Sequence, residues 1–313
     1  MAANVNIFSG DSSKYLAEKI AGHFGKELGK VTINHFMDGE YQPCFEETIR
    51  GTDVFLVQST NPPADNILEL LLLIDAAKRA SAKRVVALIP YFGFARQDRK
   101  DKPRVSIGAK LMTNLLVAAG VDRIITMDLH SDQIQGFVDI PVDHMYASSI
   151  FIPFLKEMNL PNLTMASPDT GGTKRAAAYA NFLNTDLVIC FKHRKVANEV
   201  DSIRIIGDVK GKDIVLVDDI IDTAGTITKA ADLMMEMGAN SVRAACTHPV
   251  FSGNAFEKIE KSALTEVLVT DTLNREETGK IRVLSTASIF ADVIKRIHKN
   301  KSISTHFDFS IIL

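Results

Sequence analysis

The chain has 313 residues, 46% of them hydrophobic and 24% charged, with a formal net charge of −2 at pH 7. These are ordinary values for a globular chain with length for about two domains, and the near-neutral charge excludes a global attraction to nucleic acid or an acidic membrane. Cys44, Cys190 and Cys246 are scattered, so they suggest neither a disulfide framework nor a metal cluster but thiols in a reducing cytosol. The first residues, MAANVNIFSGDSSK, lack a basic segment followed by an apolar one and are not read as a signal peptide. The most apolar window, ILELLLLIDAA, is broken by Glu69 and Asp75 and is too short to span a bilayer. A cytoplasmic location is expected.

In chain order, residues 4–9 read as a strand and 13–24 as a helix with apolar residues at helical spacing. Residues 31–36 read as a strand, followed by a turn over MDGEYQP that holds Asp38, Gly39 and Glu40. A buried strand at 54–58 and an apolar helix at 67–80 follow, then a strand at 84–90 that runs into YFGFARQDRKDKPR. The run from Arg96 to Arg104 holds five positive and two negative residues after three aromatics. A solvated basic loop is the plain reading; arginines at a strand's carboxyl end can also grip phosphate or stack on a base. A helix at 107–119 precedes a strand at 123–127 ending in Asp128-Leu129-His130, two groups that can hold a metal or phosphate or else shape a turn.

The second half repeats the scheme. A strand at 163–166 leads through SPDTGG, with Asp169, into a helix at 174–183. A strand at 187–191 leads into Lys192-His193-Arg194-Lys195 and a long polar stretch, either a basic surface hairpin or a loop that closes over phosphates. Residues 214–217 are wholly apolar, as in a strand of a parallel sheet buried on both faces, and run into Asp218, Asp219, Asp222, Thr223, Ala224, Gly225 and Thr226. Strands near 242–247 and 266–270 close the series. Alternation of strand and helix throughout argues an α/β fold with parallel sheets.

The halves match at an offset of 160 residues, GTDVFLV from Gly51 against GKDIVLV from Gly211. After the matched strand they diverge: the first half continues QSTNPPADN, the second DDIIDTAGT. A loop of small residues at a strand end, followed by a helix, can aim amides at an anion, and adjacent acids can hold sugar hydroxyls or hydrated Mg²⁺. A helix cap alone would explain one acid or one Thr. The expected domains are residues 1–146, without this loop, and 147–313, with it.

VLVDDIIDTAGT resembles the ribose-phosphate loop of type I phosphoribosyltransferases. With MDGE, PYFGFARQDRK, TMDLHSDQIQGFVDIPVD, SPDTGG and KHRKVAN, the chain resembles the ribose-phosphate pyrophosphokinases over nearly its whole length. That resemblance implies two tandem phosphoribosyltransferase-like domains and transfer of pyrophosphate from Mg-ATP to the C1 hydroxyl of ribose 5-phosphate for nucleotide biosynthesis. It implies ATP contacts at Asp38, Gly39, Glu40, Arg96 and Gln97, and Mg²⁺ positions at His130 and Asp169, with Asp128 beside them. It implies catalytic cations at Lys192 and Arg194, and a ribose 5-phosphate site at Arg194, Asp218, Asp219 and Asp222–Thr226. It further implies a homohexamer and allosteric phosphate and ADP, with Arg50 and residues 302–304 near that site. Ala224 stands where Gly is common in the phosphate loop, and requires a backbone conformation open to a residue with a Cβ. The alternatives are a non-catalytic regulatory homologue, a transferase that consumes the product, and a receiver-like domain with acids at strand ends.

Overall fold

A computed structural model describes the backbone of residues 4–193 and 202–304. The chain folds into two compact units. The first holds the residues up to Tyr146, Thr272–Asn274 and the segment from Thr286; the second holds Ala147–Asp271 and Arg275–Ser285.

The first unit is built on five parallel strands in the order β1 (Val5–Ser9), β4 (Asp53–Val57), β5 (Arg84–Ile89), β6 (Arg123–Met127) and β7 (Val142–Met145). All five residues of β4 are buried, the outcome of helices on both faces of a parallel sheet. Helices α1 (Lys14–Phe24), α2 (Asp65–Arg79) and α3 (Gly108–Ala119) supply Leu16, Ile20, Leu70, Leu73, Ile74 and Leu116 to the interior. Two short strands, β2 (Val31–His35) and β3 (Tyr41–Phe45), pair antiparallel in a ribbon of their own. Residues 41–43, expected to continue a turn, are thus strand. Pro43 is tolerated there because β3 has one partner strand and needs no second row of donors.

The second unit has seven strands in the order β10 (Ser202–Ile206), β9 (Asp186–His193), β8 (Leu163–Ser167), β11 (Asp213–Ile221), β12 (Ser241–Pro249), β13 (Glu266–Thr270) and β14 (Ile281–Leu284). Every pair is parallel except β9 with β10. Helices α4 (Ser148–Glu157), α5 (Thr173–Leu183), α6 (Gly225–Glu236) and α7 (Ala255–Lys261) complete it. The internal repeat is visible in the topology: β1-β4-β5-β6-β7 of the first sheet corresponds to β8-β11-β12-β13-β14 of the second. In each copy an antiparallel pair is inserted after the first strand.

The last helix, α8 (Ala287–His298), belongs to the first unit, so the two units are not the consecutive blocks 1–146 and 147–313. Its Phe290, Ala291, Ile294 and Ile297 are buried at helical spacing and it packs on α1. His298 Nδ1 lies 2.9 Å from Asp53 Oδ2, and Ser59 Oγ donates to the carbonyl of Thr272 at 2.8 Å.

Candidate active site

The two copies of the repeat differ in how far the matched strand runs. β4 has five residues, whereas β11 has nine and carries Asp218 and Asp219 beyond its run of five consecutive buried residues. Asp218 is half-buried and Asp219 buried. The Asp219 amide donates to Asp218 Oδ1 at 2.9 Å, and Arg175 Nη1 donates to Asp219 Oδ1 at 2.8 Å. Burial foremost, then the adjacent Asp219, pushes the Asp218 carboxyl well above the usual carboxylate range; Arg175 pulls the other way and Asp169 adds to the push. Asp169, Asp218 and Asp219 therefore form one electrostatic patch beside Arg175. Such a patch favours hydroxyl donors or a cation.

The Asp169 loop leads into α5. Asp169 Oδ1 accepts the amides of Gly171 and Gly172 at 2.9 and 3.1 Å, and Ser167 Oγ donates to the Asp169 carbonyl at 2.6 Å. Arg175 sits in the first turn of α5, where the helix dipole disfavours a cation, and the sequence reading did not single it out. That misplaced charge was the available signal: it calls for an acid, which Asp219 supplies.

The loop after β11 turns at Ala224, which is left-handed at φ 59° and ψ −2°. Its carbonyls face inward: Asp222 O accepts from Ser252 N at 2.9 Å, Thr223 O from Lys258 Nζ at 3.1 Å, and Ala224 O from Thr228 Oγ1 at 2.9 Å. The amides of Thr223, Ala224 and Gly225 have no hydrogen-bond partner among the described residues. Outward amides at the start of α6, which continues through Thr226, make an anion-binding concavity. Lys258, on α7, was not anticipated; its lone position in an ordinary amphipathic helix carried no signal.

Lys192 lies in β9, opposite Ile203 of β10. Arg194 falls outside the described residues.

In the first unit, Asp128 is buried and His130 exposed, on either side of Leu129 at the end of β6. The Asp128 amide donates to the Met145 carbonyl at 2.9 Å, and Leu129 N donates to Nε2 of the buried His144 at 2.8 Å. Asp38, Gly39 and Glu40 form the exposed tip of the β2–β3 ribbon. There Asp38 Oδ1 accepts the Glu40 amide at 3.0 Å and Gly39 takes φ 95°, a turn closed by its own Asp side chain. Arg96 and Gln97 are exposed after β5. Their loop is anchored at Gly93, where a Cβ would lie 1.9 Å from the Thr60 carbonyl, and at Gln97 O, which accepts the Ala109 amide at 3.2 Å. Among the described residues no three His, Cys, Asp or Glu side chains converge as a ready cation cage.

Fold and site define a class first: an α/β protein of two repeated parallel-sheet units, one copy of which carries acids and an anion-binding loop at a strand end. Residues 5–120 match the N-terminal domain of ribose phosphate pyrophosphokinase, and residues 169–308 match the phosphoribosyl synthetase-associated domain. The chain is 57% identical to a ribose-phosphate pyrophosphokinase of Porphyromonas gingivalis over 98% of both chains. It is 51% identical to one from Chlorobaculum tepidum, over 98% of this chain and 96% of that one. The crystal structure of phosphoribosylpyrophosphate synthetase from Mycobacterium smegmatis superimposes with a TM-score of 0.90 at 39% identity, covering 95% of this chain and 99% of that one. The chain belongs to the ribose-phosphate pyrophosphokinase family.

Proposed function

We propose that the protein transfers the β,γ-pyrophosphoryl group of ATP to the C1 hydroxyl of ribose 5-phosphate, giving 5-phosphoribosyl 1-diphosphate and AMP. The observation that carries this is family membership at 57% identity over 98% of the chain. The loop at the end of β11 supports it independently. Its outward amides suit the 5-phosphate, and Asp218, raised by burial and by its acidic neighbours, suits the ribose hydroxyls as an acceptor. By resemblance Asp219 belongs to the same site; its carboxylate faces Arg175 and its backbone amide donates to the Asp218 carboxyl.

In the reaction the C1 oxygen forms a bond to the β-phosphorus as the bond from that phosphorus to the α,β-bridging oxygen breaks, AMP takes the electron pair, and the C1 hydroxyl proton is released to water. No protein nucleophile is required; positioning and cations on the developing charge lower the barrier. By resemblance Lys192 and Arg194 supply those cations, Asp38, Gly39, Glu40, Arg96 and Gln97 contact ATP, and Asp222–Thr226 hold the 5-phosphate.

Mg²⁺ fits the residues present. It binds through one or two protein groups together with water and substrate phosphates, and the carboxylates of Asp128 and Asp169 with the imidazole of His130 would be those groups. When bound, it neutralises charge on the polyphosphate. Asp169 would hold it through Oδ2, since Oδ1 is engaged by two amides.

The same resemblance supports a homohexamer in the cytoplasm, and phosphate and ADP control near Arg50 and residues 302–304. No helix among the described residues is long and apolar enough to cross a membrane. Arg50 donates to Ser81 Oγ at 3.1 Å, and the Ser302 and Ser304 hydroxyls lie 2.8 Å apart. A transferase that consumes the product would need the β11 loop but not the Arg96–Arg104 segment, and a regulatory homologue is disfavoured by intact Lys192, Arg194, His130 and DTAGT. The test is AMP formation from ATP. The proposal requires that it depend on both ribose 5-phosphate and Mg²⁺; a folded protein that binds both substrates without yielding AMP contradicts it.

A further inference from the structure

The turn that carries Asp128 and His130 is held from below. Its central amide, Leu129 N, donates to His144 Nε2 at 2.8 Å. His144 is 1% exposed and stands in β7 directly opposite Thr126 of β6, so its ring projects from the neighbouring strand under the turn. A backbone N–H can only donate, so Nε2 is the bare nitrogen and the proton sits on Nδ1. Nδ1–H faces Asp132 Oδ1 at 3.4 Å, in the segment that follows the turn, and Gln135 Nε2 donates to the carbonyl of the same Asp132 at 3.1 Å. The Tyr146 ring packs against the imidazole with centroids 4.5 Å apart. One ring thus ties two points of the segment, Leu129 and Asp132.

The turn needs such a tie. Asp128 is left-handed at φ 37°, a region that residues other than glycine enter at a cost. Its own amide is strapped to the Met145 carbonyl at 2.9 Å, but that bond fixes only the entry to the turn. The peptide plane between Asp128 and Leu129 sets the direction in which the two flanking side chains leave, and the Leu129 amide belongs to that plane.

We propose that His144 is a positioning residue: by accepting the Leu129 amide it aims Asp128 and His130 at the cation-bearing polyphosphate. This rests on the reading that Asp128 and His130 serve Mg-ATP. The plain alternative is a buried histidine that only fills space beneath the sheet. The two differ in what a substitution changes, because a space-filler alters stability and a positioning residue alters cation affinity in the folded protein. Partners that orient metal-binding groups from behind are worth roughly 10- to 100-fold in affinity.

His144→Phe keeps the ring and removes the acceptor, whereas His144→Gln places an acceptor oxygen near the site of Nε2. Mn²⁺ is titrated into the full-length protein with a non-hydrolysable ATP analogue and free Mn²⁺ is read by electron paramagnetic resonance, beside a melting curve and the KM for ribose 5-phosphate. Expected is a Mn²⁺ affinity roughly tenfold weaker in His144→Phe, near the parent's in His144→Gln, with the KM for ribose 5-phosphate unchanged in both. If His144→Phe does not fold, His144→Met carries the same comparison. His130→Ala separates the two ways of failing. A shift in His130→Ala with parental affinity in the acceptor-less variant overturns the role of His144 alone. No shift in His130→Ala overturns the assignment of the turn, and the inference with it.

Discussion

Glu69 offers a stability measurement in which one carboxyl is read against its surroundings. It lies on α2, 5% exposed, and faces the loop after β1. Its Oε1 accepts the Asp11 amide at 2.8 Å, and Oε2 lies 3.3 Å from Gln58 Nε2. Burial raises its pKa from 4.5 to about 7, against the two hydrogen bonds that favour the charged form. A group whose folded pKa is raised favours folding fully below its unfolded pKa, and the protein loses that advantage as pH climbs from 4.5 to about 7. The shift corresponds to about 3 kcal/mol, which solvent screening at the loop discounts to about 2 kcal/mol. Glu69→Gln removes the ionisation while keeping an acceptor for Asp11. It also presents an amide to Gln58, whose buried Oε1 has no partner and can turn to accept it, at the loss of the 3.2 Å bond from Gln58 Nε2 to the Asn66 carbonyl. Urea melts of parent and variant at pH 5 and pH 8 isolate the effect, since the other titrations cancel in the difference. The variant should gain about 2 kcal/mol on the parent between the two pH values. A difference independent of pH would refute the reasoning.

Three further outcomes concern the site. Ala224→Gly should be neutral or stabilising by up to about 1 kcal/mol, since relief at a positive φ outweighs or offsets the added freedom of the unfolded chain, whereas Ala224→Val should lose more than about 1 kcal/mol; thermal melts decide. Arg175→Met removes the guanidinium that donates to the buried Asp219 and should cost about 2 kcal/mol in denaturant melts, while raising the KM for ribose 5-phosphate more than that for ATP. Lys192→Ala should depress kcat with little change in either KM, as expected for a cation that acts in the transition state; steady-state kinetics with parental kcat would remove its assigned role.

The fold was legible chiefly through the repeat. GTDVFLV against GKDIVLV aligned β4 with β11, and both sheets follow from that alignment. The second half's loop stood out because small residues and acids rarely follow a wholly buried strand without a ligand. Other features depended on tertiary partners and left no local mark. α8 has an ordinary amphipathic pattern, and nothing in it says that its apolar face is taken by α1 in the first unit. Asp218 and Asp219 are alike in sequence, and they separate only when Arg175 approaches one of them from α5. His144 follows Asp143 in a short strand with no motif about it, and its role emerges from the register that sets it beneath Leu129.

The central claim is that two phosphoryl groups move together. ATP carrying ¹⁸O in the non-bridging positions of its β-phosphate, incubated with the protein, ribose 5-phosphate and Mg²⁺, distinguishes this from ordinary kinase chemistry by which ³¹P resonance shows the isotope shift. The account predicts that the label appears in a diphosphate on C1 of the sugar, beside unlabelled AMP. Label retained in ADP, with a single new phosphate on the sugar, would contradict it.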